Sequence, residues 1–420
     1  MQTITDQILL QATRLSKKPA LITAAESISY PQLAGLLSDC GVIADADCSG
    51  GLTVGPGKST INRILGGLKK LSQGLPIVGG TSGSTASPKI YTRSQESWLQ
   101  SFQLEDSVFH ISEHDTVLAH GDPGQSLFFY AICKALSSGA TVLVADRFHP
   151  DGAVRAALTQ GATMVYGVPS QLRLISQRAE RSHVPQVRLV LSSGARFSES
   201  EMGGLKNAFP NAEICDFYGS SETSFISVAR PFSDQSLPKG SVGRVFPGVT
   251  VQVLDGRIWA HSPMLFQAYR NAPPPVYQES IDPQGRRWIS NGDLGWIDAH
   301  GYLFVSGRAD RTINISGLKI QPEEIEDLLI QHPAIRRAAA VGLDDPLRGQ
   351  RLVAAIVVNS AVHPSDLRAY LHRQLDARKL PQSFFQLDDW PQTPGGKTDF
   401  PELKRRLIAM AQPIGQEVNA

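Results

Sequence analysis

The sequence predicts an α/β protein in three pieces: a large N-terminal domain of α/β layers, a small β-barrel-like subdomain at its end, and a small α+β C-terminal domain. Three observations lead there. From about residue 115, short β-rich runs alternate with stretches of helical period. Residues 240–305 change to short strands joined by tight turns. Beyond residue 308 a well-signalled helix opens a second set of strands and helices.

In the first region "TVLVAD" (141–146), "ATMVYGV" (162–168) and "VRLVLSSG" (187–194) read as strands, each bounded by Gly, Ser or Pro. "SLFFYAICKAL" and "PSQLRLISQRAE" lie between strands with helical period, so the strands should run parallel under helices packed on both faces. "SVGRVFPGVTVQVLDGRIWAH" and "GYLFVSGR" supply the antiparallel or barrel-like part. "QPEEIEDLLIQHP" (321–333) carries Pro322 in its first turn, acids at its N-terminal end and a closing His-Pro, the charge order a helix dipole favours. "IRRAAAVGLDD", "RLVAAIVVN", a helix near 365–376 and the Gly-rich "PQTPGGKTDF" complete the tail. The expected division is 1–308 and 309–420, near "GRADRT" (307–312).

Composition narrows the function. The chain has 420 residues, 41% hydrophobic and 19% charged, with a net charge of +1, which gives no footprint for nucleic acid or a membrane surface. Cys40, Cys48, Cys133 and Cys215 form no CxxC and read as reduced thiols. "MQTITDQILL" lacks a basic n-region and "LFFYAIC" is too short to span a bilayer, so a soluble cytoplasmic protein is expected. No HExxH, GxSxG or GxGxxG occurs.

Two stretches have the composition of phosphate loops. "GLTVGPGKST" (51–60) ends like a P-loop, but Leu52 stands where the pattern needs glycine, so a flexible surface loop is the better reading. "GGTSGSTASPKIY" (79–91) offers hydroxyls and amides as donors, small residues for close backbone approach, and Lys89 as a point charge.

Downstream of it come "DFYGSSETS" (216–224), "SNGDLGWID" (290–298), "GRADRTINISGLKIQPEEIE" (307–326) and "PGGKTD" (394–399). In this order and spacing they resemble the AMP-forming adenylate-forming superfamily of acyl- and aryl-CoA synthetases, peptide-synthetase adenylation domains and luciferases, over residues 79–400. The resemblance implies activation of a small or medium carboxylic acid, aryl or acyl, by ATP and Mg²⁺ to an acyl-adenylate. The acyl group then passes to a thiol, carried by CoA or by the phosphopantetheine of an acyl carrier protein. Such transfers depend on positioning and charge neutralisation.

The resemblance also assigns residues. Thr81, Ser82, Gly83, Ser84, Thr85 and Lys89 would cover the β- and γ-phosphates. Tyr218 would stack on adenine within Asp216-Phe217-Tyr218-Gly219, with Gly194 and Ala195 lining the other adenine face. Ser221 would sit beside the α-phosphate and Glu222 would bind magnesium, a hard cation suited to a carboxylate. Asp293 and Arg308 would hold the ribose, Asp310 would be the hinge, and Lys397 would reach the reacting carboxylate and α-phosphate. Gly317 and Lys319 would border the thiol channel. The acid pocket is expected beside "YGVPSQLRL", "SSGARF" and "YGSSETSF", with His120, Gln125 and Phe128 as candidates for its entrance side chain.

Two departures from the pattern stand out. Ala86 replaces a glycine, costing about 1 kcal/mol if positive φ is needed there. Only 80 residues precede the serine/threonine loop, so a shortened first subdomain is expected, with an exposed sheet edge or apolar surface that would favour a homodimer or a partner contact. The alternative to a ligase is a catalytically silent nucleotide-binding or scaffold homologue, against which Lys397, Glu222 and Asp293 all stand.

Overall fold

A computed structural model describes residues 3–38, 59–81, 89–179, 182–194, 197, 199–270, 277–393 and 398–411. Its centre is a parallel sheet of the strands Pro19–Ile22, Thr141–Leu143, Thr116–Leu118, Met164–Gly167, Leu189–Ser192 and Glu213–Ser220, in that spatial order. The three runs read as strands from sequence are all present. Met164–Gly167 and Leu189–Ser192 are buried at every position, as strands covered on both faces must be. Helices Ser126–Ser137, Pro150–Thr159 and Pro169–Ala179 connect or follow them.

The antiparallel strands of residues 241–308 are not a detached barrel. Ser224–Ala229 pairs with Glu213–Ser220 on one side and with Ser241–Val245 on the other, so both regions share one sheet. Gly219 and Gly243 permit the close approach of these strands. A Cβ on Gly219 would overlap the Ser224 carbonyl, and one on Gly243 the Val228 carbonyl. A second sheet joins Ile77–Thr81, Lys89–Arg93 and Ala268–Tyr269.

The tail is a five-stranded sheet covered on both sides. Strict alternation along Gly349–Val358 makes this possible. Leu352, Ala354 and Ile356 pack with Ile325 and Leu329 of helix Pro322–Gln331 and with Leu367 and Leu371 of helix Pro364–His372. Val353 and Ala355 face the other way, onto Leu403 and Leu407 of helix Phe400–Ala411. Each such leucine contributes about 1.5–3 kcal/mol by burial. The predicted helices at 321–333 and 365–376 appear as Pro322–Gln331 and Pro364–His372, the second ending earlier. No helix is long and apolar enough to cross a membrane among the described residues.

Candidate active site

The carboxyl ends of parallel strands are where open α/β sheets bind ligands, because loops diverge there. Glu213–Ser220 brings Asp216, Phe217, Tyr218 and Gly219 to that end, beside Leu189–Ser192 and Gly194. Ser192 and Asp216 are register partners. Gly194 has φ +105°, a conformation that favours glycine. Along the strand the side chains alternate. Phe217 turns its ring onto Phe225, 4.7 Å away, in the main core, whereas Tyr218 packs with the cluster of Ile226, Ile258 and Leu303.

Tyr218 donates its hydroxyl to Asp293 Oδ2 at 2.7 Å. Arg308 Nε lies 3.8 Å from Asp293 Oδ1, donates to Asp310 Oδ1 at 3.1 Å, and uses Nη2 to hold the Asn291 carbonyl at 2.9 Å. The structure therefore brings Tyr218, Asp293, Arg308 and Asp310 into one chain of contacts, although they span residues 218–310. Burial lifts the Asp293 carboxyl above its ordinary range, against the opposing pull of Arg308 and Tyr218. Burial and the neighbouring Asp293 hold the Tyr218 hydroxyl far above its ordinary range, which keeps it a neutral donor. For Arg308 burial works against the charge, but Asp293 and Asp310 outweigh it and raise its value.

The turn after Gly219 carries Ser221 and Glu222. Ser220 Oγ shapes it by accepting from the backbone N–H groups of Glu222 (3.1 Å) and Thr223 (3.2 Å). Asn291 Nδ2 donates to the same oxygen at 2.6 Å, tying this turn to the Asp293 strand. Arg93, buried in the second sheet, donates to the Ser221 carbonyl at 2.9 Å and to the Met264 carbonyl. Burial draws its guanidinium down to about 10. The Tyr269 hydroxyl donates to Glu222 Oε1, fixing that carboxylate. Arg93, Asn291, Ser220 and Tyr269 were not singled out from sequence. Only Asn291 and Ser220 lie inside quoted motifs, and nothing local marks the other two.

Thr81 and Lys89 are register partners in the second sheet. Ser82, Gly83, Ser84, Thr85, Ala86, Ala195 and Lys397 lie outside the described residues. Lys89, Gly194, Arg308 and Asp310 line one open cleft of about 2600 Å³, together with Thr393 and Thr398 of the tail. Gly317 and Lys319 lie elsewhere, on the exposed hairpin of Ile313–Ile315 and Leu318–Ile320, which does not line the cleft. Of the P-loop-like stretch, Ser59 caps helix Thr60–Ser72, and Thr60 bonds Asp146 Oδ1 (2.7 Å) and the Ala145 carbonyl (3.1 Å), a structural use. His120 is buried with Nδ1 unpartnered, and burial draws its ring down to about 4. Phe128 is fully buried beside Gly121.

The matches to known proteins agree with this geometry. The AMP-binding enzyme family matches residues 80–270, and the AMP-binding enzyme C-terminal domain matches residues 324–397. The uncharacterized acyl–CoA ligase YhfT of Bacillus subtilis is 33% identical over 346 residues, covering 80% of this chain and 69% of that protein. The chain belongs to the AMP-binding enzyme family. Acetyl-coenzyme A synthetase of Bacillus subtilis is 28% identical over 353 residues, 78% of this chain and 60% of that enzyme. Among solved structures, ATP-bound MatB of Rhodopseudomonas palustris superposes with a TM-score of 0.81 at 18% identity, over 98% of this chain and all (100%) of that one. The o-succinylbenzoate CoA synthetase MenE of Bacillus subtilis, with ATP and magnesium, gives 0.77 at 20%, over 95% and 99%. As in other AMP-binding enzymes, a large N-terminal domain is followed by a smaller C-terminal one.

Eight buried side-chain polar atoms have no hydrogen-bond partner among the described residues, and Ser192 Oγ, Asn291 Oδ1 and His120 Nδ1 are three of them. Ser192 pairs in register with Asp216 and Asn291 lies two residues before Asp293, so two of these atoms border the Tyr218–Asp293 cluster. Buried orphans are costly unless a ligand satisfies them, and the Ser192 hydroxyl with the acceptor oxygen of Asn291 fits the polar edge of a nucleotide. No group of three or more His, Cys, Asp or Glu suits a metal by itself among the described residues. The single carboxylate of Glu222 fits Mg²⁺ that takes its other ligands from phosphate and water.

Proposed function

We propose that the chain is an ATP-dependent, AMP-forming carboxylate–thiol ligase. A carboxylate oxygen attacks the α-phosphorus of ATP, the bond to the β-phosphate oxygen breaks, and pyrophosphate leaves. A thiol sulfur then attacks the acyl carbon, its proton passes to solvent, and AMP departs. The observation that carries this reading is the Tyr218–Asp293–Arg308 contact chain at the carboxyl end of the sheet.

The roles follow from chemistry. Asp293, with two acceptor oxygens and neutral Tyr218 behind one of them, is placed to take the ribose hydroxyls. Tyr218, Gly194 and the Asp216 edge form the adenine side. Ser221, its carbonyl fixed by Arg93, presents its N–H and hydroxyl beside the α-phosphate. Glu222 would hold Mg²⁺, which would supply neutralisation of phosphate charge. Lys89 and the serine/threonine loop take the pyrophosphate end, and Lys397 stabilises charge developing at the α-phosphorus. Asp310 is the hinge between units 1–308 and 309–420, and rotation about it would bring Gly317 and Lys319 to the thiol channel.

Carboxylate-dependent exchange of labelled pyrophosphate into ATP, run over a panel of short acyl and aryl acids, tests the first half-reaction. Exchange with at least one acid, lost in Lys397→Ala, is expected; no exchange with any acid, or exchange indifferent to Lys397→Ala, refutes the mechanism. Adding CoA or a holo carrier protein to the best acid then identifies the thiol acceptor.

A further inference from the structure

Arg93 closes the strand Lys89–Arg93 and is 1% exposed. Each of its side-chain nitrogens has an acceptor: Nε donates to Ser97 Oγ at 3.2 Å, Nη1 to the Ser221 carbonyl at 2.9 Å, and Nη2 to the Met264 carbonyl. All of these partners are neutral. A buried charge whose hydrogen bonds go to neutral acceptors is expensive to keep. Arg93 also precedes Ser94, the N-cap of helix Gln95–Phe109, where the helix dipole disfavours a cation. Packing alone would favour an apolar side chain at this position.

The groups it holds show what the arginine does there. A trans peptide points its carbonyl and its N–H in opposite directions, so bonds to both fix the plane. The Ser221–Glu222 peptide is held in this way: Arg93 takes the Ser221 carbonyl, and the Glu222 N–H donates to Ser220 Oγ at 3.1 Å. The Glu222–Thr223 peptide is held likewise, its carbonyl by the Phe266 N–H at 2.8 Å and its N–H by Ser220 Oγ at 3.2 Å. Arg93 supports this second plane too, because the Met264 carbonyl that it holds lies two residues before Phe266. The backbone of Glu222 is thereby set on both sides, and the Tyr269 hydroxyl fixes Oε1 of its side chain.

We propose that Arg93 is a positioning residue for Glu222, aiming its carboxylate through the two peptide planes that flank it. This role depends on the ligase reading, since it is there that Glu222 takes Mg²⁺. The direction of a carboxylate matters for that cation, which demands near-octahedral geometry. Groups that orient metal-binding side chains change metal affinity about tenfold to a hundredfold when removed. Arg93 would act without touching the nucleotide or the metal, since its guanidinium is buried and every nitrogen is engaged.

Calorimetric titration of the full chain with ATP, once with excess Mg²⁺ and once in EDTA, gives the factor by which Mg²⁺ changes the affinity. Arg93→Met removes the charge and every donor; Arg93→Lys keeps the charge but loses the fork that spans two carbonyls. In both, the factor should fall about tenfold or more, while metal-free ATP binds as in wild type because Tyr218 and Asp293 are untouched. Ser220→Ala, at a half-buried position, releases the opposite edge of both peptides. It should lower the same factor, and it decides the matter if the arginine variants do not fold. Pyrophosphate exchange should need a correspondingly higher Mg²⁺ concentration to reach half its maximal rate. A factor equal to that of wild type overturns the inference. Equal loss of affinity with and without Mg²⁺ overturns it as well, and makes Arg93 a support of the fold alone. A wild-type chain without acid-dependent exchange refutes the ligase reading instead.

Discussion

The Tyr218 hydroxyl holds Asp293 Oδ2 at 2.7 Å across the junction between the parallel and antiparallel parts of one sheet. A neutral donor far above its ordinary pKa faces a buried carboxyl, so the tyrosine keeps its proton for this bond. It joins the strand that ends in the Ser221–Glu222 turn to the strand that leads, through Arg308, to the tail. Binding at one end is therefore positioned by contacts at the other.

Tyr218→Phe removes that donor and keeps the ring. Hydrogen bonds to charged groups are worth about 1.5–3 kcal/mol, so the KM for ATP should rise about tenfold or more with little change in acid preference. Steady-state kinetics with ATP and acid varied separately checks this. An unchanged KM for ATP would remove Asp293 from the ribose role.

Asp293→Asn should separate stability from function. The folded-state pKa of Asp293 is raised, chiefly by burial, so its ionised form costs stability at neutral pH. The stabilising contribution of the protonated form is present below the ordinary carboxylate range and is lost as pH rises through the folded value. The variant should therefore melt at or above the wild-type temperature at pH 7, with the difference closing on acidification, while ATP binding weakens. Melting curves from pH 4 to 8 measure it, and a gap that widens toward acid contradicts the assignment.

Glu105 offers a pH test away from the site. It is fully buried, receives the Tyr130 hydroxyl at 2.9 Å and the Tyr166 hydroxyl, and is pushed up to about 7 by burial. Between the unfolded value near 4.5 and about 7 the folded state binds the extra proton, so stability falls as pH rises through that window. Integrated, the loss is roughly 3 kcal/mol. Glu105→Gln should flatten the profile, since an amide accepts from one tyrosine and donates to the other. Urea unfolding at pH 5 and pH 8 compares the two proteins, and parallel profiles would exclude titration of Glu105.

What was legible in the sequence divides along physical lines. Met164–Gly167 and Leu189–Ser192 are apolar throughout because both faces are covered, and that pattern is local. Helix Pro322–Gln331 announced itself by its proline and its acids. Tyr218 and Asp293 were visible because the motifs that hold them, in their order and spacing, resemble those of the adenylate-forming superfamily. Arg93 was invisible: it acts on Ser221, 128 positions away, and "KIYTR" carries no mark of that partner. Asn291 reaches Ser220 over 71 positions and Tyr269 reaches Glu222 over 47, so only the fold reveals them. The continuity of the barrel-like strands with the parallel sheet was hidden for the same reason, since it depends on pairing between Ser227 and Val245.

Asp310 gives a test of the hinge that a static ion pair cannot imitate. Its carboxylate accepts from Arg308 Nε at 3.1 Å, with the side chain 50% exposed, and such pairs are worth at most about 1 kcal/mol. Asp310→Ala should therefore leave the melting temperature nearly unchanged. Arg308 keeps its bond to the Asn291 carbonyl and its place beside Asp293, so pyrophosphate exchange should stay within about threefold of wild type. Downstream, Arg311 is held by Glu323 and Glu326 and its guanidinium lies 3.8 Å from the Phe400 ring centre, so the tail side of the junction is anchored and the proposed rotation falls on the residues before it. Altering Asp310 should act on domain rotation and slow thioester formation about tenfold or more, a split between half-reactions that loss of a surface contact does not produce. Equal losses in both half-reactions would make Asp310 a partner of Arg308 and nothing further.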